Sequence, residues 1–202
     1  MLESRAGSLA LVGGSWALDF ANTAAGRGTA TPVEHLPSPG SLVAWAAHAG
    51  VLDATSKRQA EAAVSADAAA ARKLLRGARQ LRGAIYAVGA AIARGEAPQE
   101  SDLRILKAFA ERTLAAAALA PAVDGRFKFD FTHAPAEAAL LGRLAWSAID
   151  LLATVPPERI KQCPGHGCGW LFLDVSKNNS RRWCDMATCG NRTKATRFRQ
   201  RH

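Results

Sequence analysis

The chain has 202 residues, enough for one well-buried domain and a small appendage, and its 49% hydrophobic and 21% charged residues are typical of a folded protein. Its apolar runs are alanine-rich and interrupted by charges, well short of the roughly 20 residues that a membrane-spanning helix requires. The first residues have no long apolar core of the kind found in secretion signals, and we expect a cytoplasmic protein.

The net charge of +9 is concentrated near the C-terminal end. Residues 160–202 contain nine lysines and arginines against two aspartates, whereas the preceding residues hold 17 bases and 15 acids. All four cysteines lie in the same segment, and a reducing cytoplasm favours metal ligation over structural disulfides. We therefore predict two domains, a mainly helical one over residues 1–155 and a metal-binding one over residues 158–202.

The N-terminal segment Ser8–Thr23 alternates apolar and other residues, which predicts a β-hairpin turning at Gly13 and Gly14. The alternating phenylalanines of Phe127–Phe131 predict a strand that pairs with this hairpin. Polar residues near the end of the first segment either close a structural turn or line a small-molecule pocket. These candidate pocket residues are Asp19, Asn22 and Thr23.

Helical patterns occupy most of the chain between these two segments. A short helix is predicted over Ser41–Ala49, and apolar residues spaced three and four apart from Leu74 to Ile92 predict a long amphipathic helix. Further helices are predicted from Ser101 and over about Pro135–Ala153. The arginines opposite the apolar stripe of the long helix are expected to form an ordinary solvated face: Arg72, Arg76, Arg79 and Arg82.

The four cysteines form two pairs, Cys163-x4-Cys168 and Cys184-x4-Cys189, separated by fifteen residues. Two pairs delivered by tight turns suit a tetrahedral zinc ion, so we favour one structural zinc over reduced thiols in a small core or two disulfides. His166 could replace one ligand, but four cysteines already complete the coordination shell. With no open position, this zinc would hold the fold and perform no chemistry.

Around the cysteines the sequence predicts a β-hairpin followed by a basic helix. Trp170–Leu173 has strand character, a second strand is predicted through Arg181–Trp183, and a helix begins after Cys189. Trp170 and Trp183 are better explained as core aromatics than as base-stacking residues. The fold class is therefore α+β, mainly α: a helical domain with a small antiparallel β element, and a zinc-stabilised β-hairpin and helix. We expect their cores to be separate, so that loss of zinc leaves the helical domain intact.

The cysteine segment resembles the CGNR zinc finger over nearly its whole length. The matching motifs are Phe172–Ser176, Arg181–Met186 and Cys189–Lys194, which begins with the Cys-Gly-Asn-Arg run itself. The N-terminal region resembles the ABATE domain, with which that finger is usually found. Its looser marks are Leu18–Thr23, Leu42–Trp45, Gly50–Leu52 and Leu81-Arg82. The resemblance implies zinc at the four cysteines and a stress-induced transcription regulator.

Seven bases near the second cysteine pair are candidates for contacts with nucleic acid. Neutralising phosphates releases counterions, and arginine can also contact guanine edges, so we expect nucleic acid as partner, with double-stranded DNA favoured. A solvated basic helix end is the simpler explanation for the same residues. The candidates are Arg181, Arg182, Arg192, Lys194, Arg197, Arg199 and Arg201.

Other functions are less well supported by the sequence. A zinc-stabilised protein-interaction module or a redox sensor without DNA binding would share the same cysteines. We expect no enzyme, because the chain has no phosphate-binding loop, no His-Glu-x-x-His and no nucleophile elbow, although Asp19 and Asn22 offer a weak candidate site. A small-molecule effector of the N-terminal domain and a homodimer are further expectations, and no membrane partner is expected.

Overall fold

Seven α-helices and three two-stranded antiparallel sheets are the main elements of residues 5–27 and 29–199, the part of the chain that the structure, a computed structural model, describes. This confirms an α+β fold that is mainly helical. The helices are α1 (Trp16–Ala21), α2 (Pro39–His48), α3 (Ala54–Ala66), α4 (Ala68–Ala93), α5 (Glu100–Leu114), α6 (Arg143–Thr154) and α7 (Asn191–Arg199). Within the described ranges, no helix combines the length and apolar character needed to cross a bilayer.

Each sheet is a local pair of short strands. The strands are β1 (Ala24–Ala25), β2 (Val33–Glu34), β3 (Ala118–Pro121), β4 (Phe127–Asp130), β5 (Ile160–Gln162) and β6 (Leu171–Leu173), paired in that order as β1–β2, β3–β4 and β5–β6. The predicted strand at Phe127 is therefore present, but its partner is β3 and not the N-terminal segment. A short loop makes β3 the nearest available partner, so local pairing wins over a distant one.

The predicted N-terminal hairpin is wrong, because the structure has helix α1 in that segment. Ser15 caps this helix by accepting a hydrogen bond from the Leu18 backbone N–H. Leu18 and Phe20 are fully buried, and α1 lies between α4 and α6. A short helix buried on most sides has no polar face, so its apolar spacing cannot be distinguished from that of a strand.

The predicted helices are present with shifted boundaries. Helix α2 begins at Pro39 with a capping box formed by Ser38 and Ser41, and it is followed by Gly50, whose φ of +70° suits a left-handed helix end. Asp67 separates α3 from α4 by accepting hydrogen bonds from the backbone N–H groups of residues 69 and 70 in the first turn of α4. The predicted apolar stripe of α4 faces the core, where Leu81 is fully buried. The last predicted helix divides into a π-helical turn over Ala138–Gly142 and helix α6.

The C-terminal hairpin uses a different partner strand from the predicted one. Strand β6 pairs with β5, in the register Lys161↔Phe172, whereas Arg181–Trp183 forms an irregular loop. Strand β5 follows directly from a turn at Pro157–Arg159. Three residues are too few for a clear hydrophobic period, which explains why the sequence did not reveal β5.

The two segments do not have separate cores, contrary to the expectation from sequence. Ile160 and Leu171 belong to the same buried cluster as the core residues of α1 and α4. Leu171 packs so closely on α4 that a Cβ placed on Gly89 would lie 2.7 Å from its Cδ1 atom. A smaller cluster holds Phe172 and three of the cysteines. Part of the C-terminal hairpin thus completes the helical core.

Candidate metal centre and nucleic-acid interface

Two turns bring the four cysteines together. In the first, the Cys168 N–H donates to the Gly165 carbonyl, and the Cys163 N–H donates to the Trp170 carbonyl across the base of the loop. The second is a π-helical turn over Met186–Gly190, which is capped by the Asp185 carboxylate through the backbone N–H groups of residues 187 and 188. Both turns are fixed by local hydrogen bonds, which is why the sequence motif predicts them.

The sulfur atoms have the spacing that a tetrahedral zinc ion needs. The Cys168 and Cys184 sulfurs are 3.6 Å apart, as are those of Cys184 and Cys189, and the four sulfurs, including that of Cys163, all lie within 4.8 Å of one another. Four thiolates at about 2.3 Å from a central ion would be separated by about 3.8 Å. The described cysteines therefore fit zinc, and they could hold such an ion.

Ionisation of the thiols is coupled at this distance. Hydrogen bonds with Cys168 and Cys184 lower the pKa of Cys163, whereas the hydrogen bond with Cys163 raises the pKa of Cys168, and Cys163 and Cys168 together raise the pKa of Cys184. Four adjacent thiolates repel one another strongly unless a cation lies between them. A divalent metal would supply that charge and favour the thiolate form of each ligand.

The backbone of Gly165 lies so close to the sulfur atoms that there is little room for a side chain at this position. A Cβ placed on Gly165 would lie 3.2 Å from the Cys189 sulfur and 3.4 Å from that of Cys163. His166, the alternative ligand considered from sequence, is exposed and is not part of the described group of four ligands. The contacts therefore favour the four cysteines as the ligand set.

Arg181 has a role inside the module that the sequence did not reveal. Its guanidinium donates to the backbone carbonyls of Leu173, Val12 and Cys184, and it lies 4.5 Å from the ring centre of Phe172. A further bond reaches the carbonyl of residue 183. Because these acceptors occupy its donors, Arg181 joins the cysteine loop to the N-terminal segment and is poorly placed to bind phosphate.

A buried aspartate organises the loop before the second cysteine pair. The Asp174 carboxylate accepts hydrogen bonds from the Lys161 ammonium, the Ser176 backbone and hydroxyl, and the Arg181 N–H. Although burial raises its pKa, these donors outweigh burial and hold the pKa below the ordinary value. Asp174 and Ser176 belong to the matched motif, and their function here is to shape the loop.

Three of the seven candidate bases are exposed with described side chains: Arg182, Arg192 and Lys194. Arg192 and Lys194 lie in the first turn of α7, which begins two residues after Cys189. Arg182 lies in the loop before Cys184, beside an open groove of about 750 Å³ that is also lined by Trp183 and Met186. Of the other four candidates, Arg181 is half-buried, and Arg197, Arg199 and Arg201 lie outside the described side chains.

The tryptophans of the module pack mainly against apolar groups. Trp170 is half-buried against both clusters, and Trp183 is half-buried against the smaller one. These contacts agree with the interpretation of both residues as core aromatics. Trp183 also keeps part of its surface on the groove.

The candidate pocket residues of the N-terminal domain have partners within the protein. Asn22 and Thr23 are fully buried, and Asn22 binds the Leu171 backbone through its amide. The Asp19 carboxylate accepts from the Gly13 N–H at 2.7 Å, and burial raises the pKa of Asp19 to about 6. These contacts hold α1 in place, and the small-molecule pocket stays a prediction that they do not support.

The arginines of α4 are not a uniform solvated face. Arg72 and Arg76 are exposed as predicted, but Arg82 is only 6% exposed and forms a two-pronged ion pair with Glu34. Burial opposes ionisation of Glu34, yet the hydrogen bonds from Arg82 keep its pKa below the ordinary value. Arg79 donates to the carbonyl of residue 36. These pairs fix the β1–β2 hairpin on α4, and the sequence offered no signal for the distant Glu34 partner.

Comparison with known families covers both parts of the chain. Residues 14–155 match the ABATE family, described as "Putative stress-induced transcription regulator", and residues 159–202 match the CGNR zinc finger. Neither description names an enzyme. No curated protein matches the chain. The chain belongs to the ABATE family and carries a CGNR zinc finger at its C-terminal end.

Proposed function

We propose that this protein is a transcription regulator that binds double-stranded DNA through its CGNR zinc finger. The observation that carries the proposal is the position of α7, which begins two residues after Cys189 and exposes Arg192 and Lys194 in its first turn. Arg182 adds a third exposed base from the loop before Cys184. A helix fixed to a rigid centre can present such bases to phosphates at a defined spacing.

One zinc ion, held by Cys163, Cys168, Cys184 and Cys189, is part of the same proposal. The sulfur spacing supports tetrahedral coordination by these four ligands alone. When bound, the ion supplies folding free energy to a module too small to stabilise itself. A cytoplasmic location fits this role, since reducing conditions keep four thiols available for metal.

The N-terminal domain, residues 1–155 in this proposal, supports and orients the finger over residues 158–202. Three groups make contacts between the two parts: the Asn22 amide, the Arg181 guanidinium and the Leu171 side chain. A small-molecule effector of the N-terminal domain could change DNA affinity by shifting these contacts. Because the two parts share one buried core, a change in the N-terminal domain can alter the position of the finger.

Fluorescence anisotropy with a labelled duplex selected from a random DNA pool tests the proposal. The double variant Arg192→Ala/Lys194→Ala should weaken binding and reduce the slope of log affinity against log salt by roughly 2, because each neutralised phosphate contributes about 0.9 to that slope. The matched control is Arg72→Ala/Arg76→Ala, which removes two exposed bases from α4. The control should bind like the unmodified protein.

Three outcomes would contradict this function. Absence of duplex binding at low salt by the zinc-loaded protein would favour a protein-interaction module instead. Equal binding by the α7 double variant and its control would show that the exposed bases of α7 do not touch DNA. Release of zinc under mild peroxide, without DNA binding, would favour a redox sensor.

A further inference from the structure

The β3–β4 hairpin exposes an apolar face that its own chain leaves largely uncovered. In the observed register Leu119 lies opposite Phe129 and Pro121 opposite Phe127, so the four side chains share one face. Leu119 is 65% exposed and Phe127 is 67% exposed. Phe129 packs edge to face on Trp146 of α6, with ring centres 4.6 Å apart, and Trp146 is itself 36% exposed. Clustered exposed aromatics of this kind mark interaction sites.

The outer edge of β4 is also open. The Ala122 N–H donates to the Arg126 carbonyl, which closes the hairpin and fixes the alternation of hydrogen bonds along it. It follows that Lys128 and Asp130 direct their backbone groups to β3, whereas Phe127 and Phe129 direct theirs outward. Among the described residues no further strand joins this sheet. An edge with an apolar face is a template for another strand.

We propose that two copies of this chain dimerise by pairing their β4 strands antiparallel about a two-fold axis at Phe129. The two hairpins would form one four-stranded sheet, in which the outward N–H and carbonyl groups of Phe129 bond those of the second copy. The occupant of the open edge is therefore a second copy of the same chain.

The charges beside Phe129 select this register. With Phe129 opposite itself, Lys128 of each copy lies opposite Asp130 of the other, which creates two attractive pairs. A register centred on Lys128 would instead place two lysines opposite each other. Thr132 binds only the Oδ1 atom of Asp130 among the described contacts, so Oδ2 can accept from lysine. The strand is thus complementary to itself in charge.

The same register covers the exposed aromatics. In this register Phe127 of one copy lies opposite position 131 of the other copy. Position 131 is close to the contact between Phe129 and Trp146 in its own copy. Phe131, the residue after β4, is buried, and its ring lies against Gly142 just before α6. Each hairpin tip would therefore cover apolar surface on the other copy.

The test is the oligomeric state of the full chain, measured by sedimentation velocity without DNA. Unmodified protein should dimerise. Lys128→Asp places like charges opposite each other twice and should raise the dimer dissociation constant roughly 10- to 100-fold. The matched control is Lys73→Asp, an identical charge change at an exposed site on α4, which should leave the dimer unchanged.

A mixing experiment sharpens the result. Lys128→Asp alone and Asp130→Lys alone each repel themselves, but a mixture of the two restores both attractive pairs and should form heterodimers. If Asp130→Lys fails to fold because it lacks the Thr132 hydrogen bonds, the comparison of Lys128→Asp with Lys73→Asp tests the inference by itself. Monomeric unmodified protein, or equal dimerisation of those two variants, would overturn the inference. Because no DNA is present, a monomer that still binds DNA would refute this inference and leave the proposed function standing.

Discussion

The side-chain amide of Asn22 and the backbone of Leu171 exchange two hydrogen bonds, each 2.8 Å long. Asn22 caps the C-terminal end of helix α1, and Leu171 begins strand β6 of the finger. The amide presents a donor and an acceptor side by side, so it satisfies one backbone N–H and one carbonyl as a neighbouring strand would. The helical domain and the zinc finger are therefore joined by a buried polar contact as well as by a shared core.

Replacing Asn22 by leucine should destabilise the whole chain and not the finger alone. Two buried backbone groups of Leu171 would lose their partners, which costs about 2–6 kcal/mol at roughly 1–3 kcal/mol for each group. Urea unfolding followed by circular dichroism measures the loss. Asn178→Leu, at an exposed position of the finger, is the control and should change stability little. A destabilisation confined to finger probes would contradict the shared contact.

Arg181 and Arg182 are adjacent but should respond oppositely to substitution. Arg181→Ala removes the guanidinium that binds several backbone carbonyls, so we expect a loss of about 2–4 kcal/mol in unfolding free energy and weaker zinc retention. Arg182→Ala, at an exposed side chain, should keep stability and weaken DNA binding. Thermal unfolding, a zinc-release assay and anisotropy separate the two. The assignment fails if Arg182→Ala proves the more destabilising substitution.

Removal of zinc should affect the helical domain. The Cys184→Ser substitution removes one of the four proposed zinc ligands, and unfolding of the finger would withdraw Leu171 and Ile160 from the common core. We therefore expect a lower thermal midpoint for the helical signal in far-ultraviolet circular dichroism, for the variant and for chelator-treated protein. Ser180→Ala, at an exposed loop position, serves as control. An unchanged helical midpoint would restore the simpler picture of two independent cores.

Asp19 should make the folded chain more stable at lower pH, which is opposite to the usual effect of a carboxyl group. Burial raises its pKa from 3.8 to about 6, so the folded chain holds the proton more tightly than the unfolded chain. Unfolding free energy attributable to Asp19 is then greatest below about pH 4 and falls as the pH rises to about 6. The change is at most about 3 kcal/mol, from roughly 1.4 kcal/mol per unit.

Asp19→Asn provides the comparison, because an amide oxygen can still accept from the Gly13 N–H. The difference in unfolding free energy between the unmodified chain and this variant should shift in favour of the unmodified chain as the pH falls from about 6 to about 4. Urea titrations with excess zinc at several pH values measure it. A constant difference across this range would show that Asp19 does not titrate there.

Features that depend on neighbouring residues could be predicted from sequence. The spacing of Cys163, Cys168, Cys184 and Cys189 brings their sulfurs together because each pair is closed by its own turn. The start of α7 after Cys189 was predictable for the same reason. Burial on most sides concealed helix α1, since a segment without a polar face carries no clear period.

The sequence by itself determined the helical class, the clustering of the four cysteines and the basic character of the finger, because capping residues, hydrophobic periods and cysteine spacings act within a few turns of chain. Only the tertiary structure decided that Arg181 serves the fold, that Arg82 pairs with Glu34 and that Leu171 completes the helical core. Their partners lie far away in the sequence. The residue type alone does not distinguish an arginine that binds backbone carbonyls from one that binds phosphate. Burial and the choice of partner are set when distant segments pack, which no local pattern records.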